Sequence, residues 1–221
     1  MSVVIPVRDD ARPLAALLAK LRDAASADLE VIVVDGGSRD GSDVVAGRGG
    51  AALLRSPPGR GFQLAAGAAA ARGAWIWMLH ADADPSPEAL AHLRGRADEA
   101  AWGRFAVRFD GAPRMALVAV AMNARSCLTG ICTGDQGIFV HRDLLARAGG
   151  VPRQSLMEDI ELCRRLKRLA RPECRQEIVG TSARRWQRRG TLRTIIAMWR
   201  FRLRYWLGAD PEQLAREYYR P

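Results

Sequence analysis

Apolar residues recur along this chain in two alternating rhythms. The β-branched runs "VVIPV" (3–7) and "LEVIVVD" (29–35) bracket "RPLAALLAKLRDAA", whose apolar positions return every three or four residues. "AALLRS" and "AWIWMLH" continue the strand series, with the helical "GFQLAAGAAAARG" between them. Strand and helix thus alternate four times within ~80 residues, which predicts right-handed βαβ units and a parallel sheet. After Pro87 the pattern predicts a helix, the strand "GRFAVRF", the helix "RMALVAVAMNARSCL" and the strand "GIFVH". The last third reads as a helix over 157–170, an extended stretch at 174–182, a helix over 191–207 and a short helix from Pro211. No linker, repeat or low-complexity tract interrupts the 221 residues. The expected fold class is α/β: one Rossmann-like domain over 1–221, a mostly parallel central sheet flanked by helices, and C-terminal amphipathic helices.

Composition narrows the picture. No apolar run reaches the ~18 residues of a membrane span. The N-terminal "MSVVIPV" enters a strand without a basic leader, so a cytoplasmic protein is expected. Cys127, Cys132, Cys163 and Cys174 form no CxxC pair and have no histidine at ligand spacing. Four reduced, mostly buried thiols are expected, and no structural zinc. The formal charge of +10 belongs to residues 142–221, while 1–141 are balanced. That excess suits nucleic acid, an anionic membrane surface or phosphate-bearing substrates.

Candidate chemistry gathers in the loops after strands, which converge in space at the carboxyl edge of an open parallel sheet. Those loops are "PVRDD", "VVDGGSRDGS" and "HADADP". Gly36 and Gly37 permit close backbone approach to a ligand, and Asp40 or Ser42 equally suits the cap of the next helix. No GK[ST] ending is present, and the near-match "GRGGAA" follows a helix and precedes a strand, so phosphate-loop and hydride-transfer readings are weak. Asp82 and Asp84 suit a hard cation such as Mg²⁺ or Mn²⁺ that also holds a diphosphate, or else a solvated acidic turn. His80 reads equally as a ligand or as a satisfied strand-end histidine. In "LMEDIELCRRL", helical spacing puts Leu162, Cys163, Leu166 and Leu169 on one stripe with Asp159 at its centre. Glu158 falls at the border, and Glu161 can pair with Arg165 across one turn. "TSARRWQRRG" offers Arg184, Arg185 and Trp186 as a phosphate clamp and a ring platform, or as a solvated basic turn. On the helix over 192–207, Leu192, Ile195, Ile196, Trp199, Leu203, Trp206 and Leu207 form a broad apolar face bordered by Arg193, Arg200 and Arg204, with Arg202 on the other side. This is the pattern of an interfacial helix, and packing or a dimer partner explains it almost as well.

Taken together, "IPVRDD", "EVIVVDGGSRDGS", "GRGFQLAAGAAAARG", "LHADADP", "GDQGIFVHRDLLARAGGVP", "LMEDIELCRRL", "TSARRWQRRGTLRT" and "YWLGADPEQLA" resemble a family 2 glycosyltransferase of the GT-A fold. They are most similar to the bacterial subgroup called radical-SAM/selenodomain-associated transferase 2, or arsenosugar-biosynthesis glycosyltransferase. The resemblance implies a nucleotide-binding half over 1–100, an acceptor-side half over 101–190 and C-terminal helices over 191–221. It implies Pro6, Asp10, Asp35, Gly37, Arg60, Gln63, His80, Ala81 and Asp82 around a nucleotide-sugar, with Asp35 against base or ribose. It implies a metal on Asp82, and Asp159 as the base, with Glu158 beside it; Asp84, particular to this chain, is either a further metal ligand that compensates for His80 or a turn residue. Asp135 and Gln136 would form an acceptor-side loop, and Arg184, Arg185 and Trp186 would lie beside donor and acceptor. The chain departs from the family pattern at His80, where the motif's first aspartate is usual, at Asp10 in place of glutamate, and at Gly36 in place of a second aspartate.

The expected activity is therefore metal-assisted, inverting transfer of a sugar from a nucleotide-linked donor, UDP-linked by expectation, to a small acceptor. No nucleic acid is expected as partner. Peripheral contact with the anionic inner membrane surface and an oligomeric state are both compatible with the C-terminal face. The competing classes are a basic nucleic-acid or lipid-binding module on an inactive fold, and a nucleotidyltransferase. The first leaves Asp35, Asp82 and Asp159 without a common purpose; the second needs a Gly-rich basic loop where this chain has "VRDD".

Overall fold

In the computed structural model, which describes residues 1–24, 29–94, 96, 100–111 and 113–219, the strand alternation sorts side chains onto two faces. β1 (Ser2–Val7) sends Val3, Ile5 and Val7 to one face and Val4 to the other, all fully or almost fully buried. α1 (Ala11–Asp23) covers the first face with Leu14, Leu17, Leu18 and Leu21, each burial worth about 1.5–3 kcal/mol. β2 (Glu30–Asp35), α2 (Ser42–Arg48), β3 (Ala52–Arg55), α3 (Arg60–Ala70) and β4 (Trp75–Met78) complete the predicted βαβ series. α3 lies on the second face, where Gly67 admits Val4 and Val34 so closely that a Cβ would meet Val4 at 2.3 Å.

Further along come β5 (Asp84–Pro85), α4 (Pro87–Arg94), β6 (Trp102–Phe109), α5 (Pro113–Thr129), a 3₁₀ turn (Gly134–Gln136), β7 (Phe139–His141) and α6 (Arg142–Arg147). α7 (Glu158–Leu166), β8 (Glu173–Thr181), α8 (Arg184–Arg189), α9 (Thr191–Trp206) and α10 (Pro211–Tyr218) close the chain. The eight strands lie in the order β3-β2-β1-β4-β7-β6-β8-β5. Pairs β1–β2, β1–β4, β2–β3 and β6–β8 are parallel, and β7 and β5 run antiparallel to their neighbours. The expected single, mostly parallel α/β domain is what the chain forms.

Two expectations are corrected. Helix α7 ends at Leu166 rather than at 170, which leaves Leu169 39% exposed and outside the buried stripe. The four cysteines are not all free: Cys127 of α5 and Cys174 of β8 form a disulfide, their Cα atoms 5.8 Å apart. The packing of α5 across β6 and β8 joins positions 47 residues apart in sequence, which spacing motifs do not register. Cys132 and Cys163 are buried thiols, as expected.

Candidate active site

Strand-end loops meet at the carboxyl edge of β1, β2 and β4, and short polar side chains knit them together. After β2 the chain turns through Gly37 at φ 88°. The buried Asp35 carboxylate accepts from the Ser38 hydroxyl, from the Gly37 N–H at 3.2 Å and from the Ser38 N–H at 3.1 Å. Asp35 thus organises its own loop, and the neighbouring cavity wall is made by Pro6, Val7, Arg8, Asp9 and Asp10. Asp40 clips the starts of two helices together, accepting from the Ala11 N–H at 2.7 Å and the Ser42 hydroxyl at 2.6 Å. Gln63, also buried, donates from Nε2 to the carbonyls of Val7 and Val34, both at 2.8 Å. A Cβ on Gly36 would approach the Gln63 carboxamide to 3.0 Å. An aspartate there would press on the side chain that ties β1 to β2.

The end of β4 places His80, Ala81 and Asp82 on the cavity wall. Asp84 does not join them, contrary to expectation. It enters β5 opposite Gly180 and forms an ion pair with Lys20 of α1, away from the cavity. His80 stands between Asp135, at 3.1 Å from Nδ1, and Arg60, at 3.4 Å from Nε2. Since the guanidinium can only donate, this network assigns the ring proton to Nδ1 and lets it donate to Asp135. Gly134 packs against the same ring, where a Cβ would meet Nε2 at 2.4 Å. Asp82 and Asp10, from different loops, converge on one cation: Arg184 Nη2 lies 3.9 Å from Asp82 and 3.3 Å from Asp10. Burial pushes the Asp82 carboxyl above its ordinary value; Asp135 and Asp10 add to this, and His80 and Arg184 oppose it. Among the described residues no three His, Cys, Asp or Glu side chains form a closed metal cage. Two carboxylates converging on one charge nevertheless fit a hard divalent cation that takes its other oxygens from a diphosphate and water.

The opposite wall comes from α7, which Met157 introduces in the left-handed region at φ 64°. Glu158, expected at the border, is the acid inside: 3% exposed, with Oε1 3.0 Å from Arg60 Nε. Burial raises the Glu158 carboxyl against the pull of Arg60, while Glu158 raises the arginine in turn. Asp159 lies on the cavity wall and accepts from the Gly134 N–H at 3.3 Å and the Ile160 N–H at 2.8 Å. Asp135 also reaches the cavity, whereas Gln136 is fully buried and bonded to Thr133, Asn123 and Ser126. Gln136 therefore holds the 133–137 loop from behind rather than lining the cavity. Trp186 is 6% exposed and packs edge-on against Phe109 at 5.7 Å, with part of its surface in the cavity. The Arg185 side chain lies outside the described residues. The cavity encloses about 1470 Å³ and reaches on to α9 and α10. Sequence spacing missed that far wall, with Arg193, Arg202 and Tyr219, because only the return of the C-terminal helices over the sheet edge brings it there.

The model of the family described as glycosyl transferase family 2 matches residues 2–146. The chain belongs to that family. The match takes in the donor-side loops with Asp35 and Asp82, and it ends before Asp159 and Arg184. Among solved structures, the family 2 chain resembles a Pyrobaculum calidifontis mannosyltransferase in complex with GDP-Man and Mn²⁺, at TM-score 0.61 and 22% identity, over 81% of this chain and 55% of that one. It also resembles glucosyl-3-phosphoglycerate synthase from Mycobacterium tuberculosis in complex with Mn²⁺, UDP and glucosyl-3-phosphoglycerate, at TM-score 0.57 and 19% identity, over 82% and 69%. These likenesses establish the GT-A fold. A Synechococcus elongatus TPR repeat-containing protein is 38% identical over 101 residues, which are 45% of this chain and 24% of that protein. The chain thus spans about a quarter of the length of this curated relative.

Proposed function

We propose that the protein transfers a sugar, with inversion at the anomeric carbon, from a UDP-linked donor to a small acceptor, and that it belongs to the arsenosugar-biosynthesis subgroup its motifs resemble. The observation carrying this reading is the facing of two walls. Asp82 and Asp10 converge on one cation on the first, and Asp159 stands on the second, its carboxylate held by the Gly134 N–H. Asp159 accepts the proton of the acceptor hydroxyl as that oxygen attacks the anomeric carbon. The bond from that carbon to the diphosphate oxygen breaks on the opposite side, and the nucleoside diphosphate leaves with the electron pair. Mg²⁺ or Mn²⁺, held by Asp82, would supply charge stabilisation for that leaving group. Arg184, already between Asp10 and Asp82, contributes positive charge at the same place. Arg60, fixed by Glu158 and by His80, orients the donor side. Pro6, Ala81 and Gly37 shape the nucleotide's bed, while Asp35 and Gln63 hold the loops that form it. The likeness to proteins solved with UDP or GDP-Man and a divalent cation supports the donor class.

No helix among the described residues is long and apolar enough to cross a membrane. We place the protein at the cytoplasmic face of an anionic membrane, held peripherally by α9, whose outward side exposes Trp199, Leu203 and Trp206.

Titration calorimetry with UDP in Mn²⁺ tests the donor reading. Asp82→Asn weakens binding roughly tenfold or more, as expected for a charge-assisted contact, and Asp84→Asn leaves it unchanged. Equal affinities for wild type and Asp82→Asn, with and without chelator, would remove the metal-ligand role.

A further inference from the structure

The four cysteines divide by accessibility. Cys132 and Cys163 are buried thiols. Cys127, on the last turn of α5, is exposed, and Cys174, the second residue of β8, is half-buried. The bridge between them therefore lies at the surface, where an incoming thiol can reach it.

Behind the bridge stands a buried guanidinium. Arg104 of β6 is 1% exposed, and its donors go to the neighbours of both cysteines. It donates to Ser126 Oγ at 3.0 Å and to the Asn123 carbonyl at 2.8 Å on α5, and to the Arg175 carbonyl at 3.0 Å on β8. Its Nη2 also faces Cys127 Sγ. A cation beside one sulfur favours that sulfur as thiolate, which makes Cys127 the better leaving group. The same turn of α5 reaches the candidate active site. Gln136, fully buried, donates from Nε2 to Ser126 Oγ at 2.9 Å and to Asn123 Oδ1 at 3.1 Å, and its Oε1 accepts from the Thr133 N–H at 3.1 Å. From that loop the Gly134 N–H meets Asp159, and Asp135 meets His80. A run of hydrogen bonds thus joins the residue beside Cys127 to the acid on the cavity wall.

We propose that Cys127–Cys174 is a thiol–disulfide exchange site for a small dithiol, and that opening it loosens the 133–137 loop against Asp159. A thiolate of the dithiol attacks Cys174 Sγ, the S–S bond breaks, and Cys127 leaves with the electron pair beside Arg104. The second thiol of the reductant then attacks the mixed disulfide, and Cys174 leaves as the other thiolate. The reductant ends as its own disulfide, having given two electrons and two protons to the two cysteines. Once open, α5 is held over β6 and β8 by packing and hydrogen bonds alone, and the loop loses its covalent backing. Disulfides of cytoplasmic proteins are usually of this transient, redox-sensing kind, which fits the placing proposed above.

The test is amide hydrogen exchange, read by mass spectrometry, on the full chain treated with graded dithiothreitol, with alkylation counting the thiols. The expected result is two new thiols in a protein whose circular dichroism is unchanged, and re-closure by oxidised dithiothreitol. Exchange at 133–137 rises roughly tenfold or more, while amides of β1 and β2 keep their protection. Cys174→Ser shows the same loop exchange without reductant; should that variant fail to fold, the dithiothreitol series on the wild type decides alone. A bridge that opens only as the protein unfolds, or that does not re-close, would overturn the exchange site. Loop exchange unchanged by opening, or protection lost evenly across the sheet, would make the bridge a staple and overturn its link to the loop. Every readout is made without donor or acceptor, so the outcome is independent of the transfer reaction.

Discussion

Met157 introduces two adjacent acids with different surroundings, Asp159 on the cavity wall and Glu158 buried. Helical spacing alone centres Asp159 on the apolar stripe and leaves Glu158 at the border. Instead α3 packs beside the start of α7 and its Arg60 takes up Glu158, while Asp159 lies on the cavity wall. The site residue was legible from sequence, but the role of its neighbour was not, because a helix wheel carries no information about which element packs beside the helix. Asp159→Asn is expected to keep UDP affinity while turnover falls roughly 10²-fold or more, the scale of losing a general base. Glu158→Gln leaves the Arg60 guanidinium without its counter-charge and is expected to lower stability by about 1–3 kcal/mol, with a smaller loss of turnover. Chemical denaturation and a turnover assay on both variants check this; normal turnover by Asp159→Asn would dismiss it as the base. Asp82 and Asp84 teach the same lesson. Two aspartates two residues apart look equivalent in "HADADP", yet the pairing of β5 with β8 takes Asp84 to Lys20 and leaves Asp82 alone at the site.

Among the elements, α9 shows how a predicted face is divided by packing. Seven apolar positions were expected to act together. Ile195 is drawn against the α5 cluster, and the inward side also uses Thr194 and Phe201. Leu192, Ile196, Trp199, Leu203, Trp206 and Leu207 remain 57–78% exposed. Leu117 and Val120 of α5 are exposed too, at 73% and 63%. Arg204, expected as a free border charge, is paired with Glu217 of α10, while Arg193 and Arg200 stay unpaired among the described residues. An exposed row with two indoles and a basic edge is the surface an anionic bilayer takes. Wild-type protein is expected to sediment with anionic vesicles at low salt, and a Trp199→Ser/Trp206→Ser double variant to stay in the supernatant. Concentration-dependent dimerisation in the absence of vesicle binding would assign the face to a second copy instead.

Across the whole molecule, an ion pair ties the segment after α4 to the start of β8 and makes stability depend on pH. Glu173, at the start of β8, receives both nitrogens of Arg96 at 2.6 Å, and that guanidinium lies 4.4 Å over the Trp75 ring. The hydrogen bonds from Arg96 lower the Glu173 carboxyl below its ordinary 4.5, against the opposing effect of burial. A carboxyl depressed in the folded state stabilises the protein above the unfolded value of 4.5 and loses that contribution as pH falls through the folded one. Glu173→Gln should therefore lower the melting temperature at neutral pH and flatten its decline below about pH 4.5, as a pH series of thermal melts would show. The sequence by itself determined the alternating strands and helices and the single α/β domain, which follow from periodicity, and the family, which its motifs resemble. The tertiary structure alone decided the Cys127–Cys174 pairing, the separation of Asp84 from Asp82, and the burial of Glu158 and Gln136. Each of those depends on which distant elements pack together, and burial by a distant element leaves no period in the residues it covers.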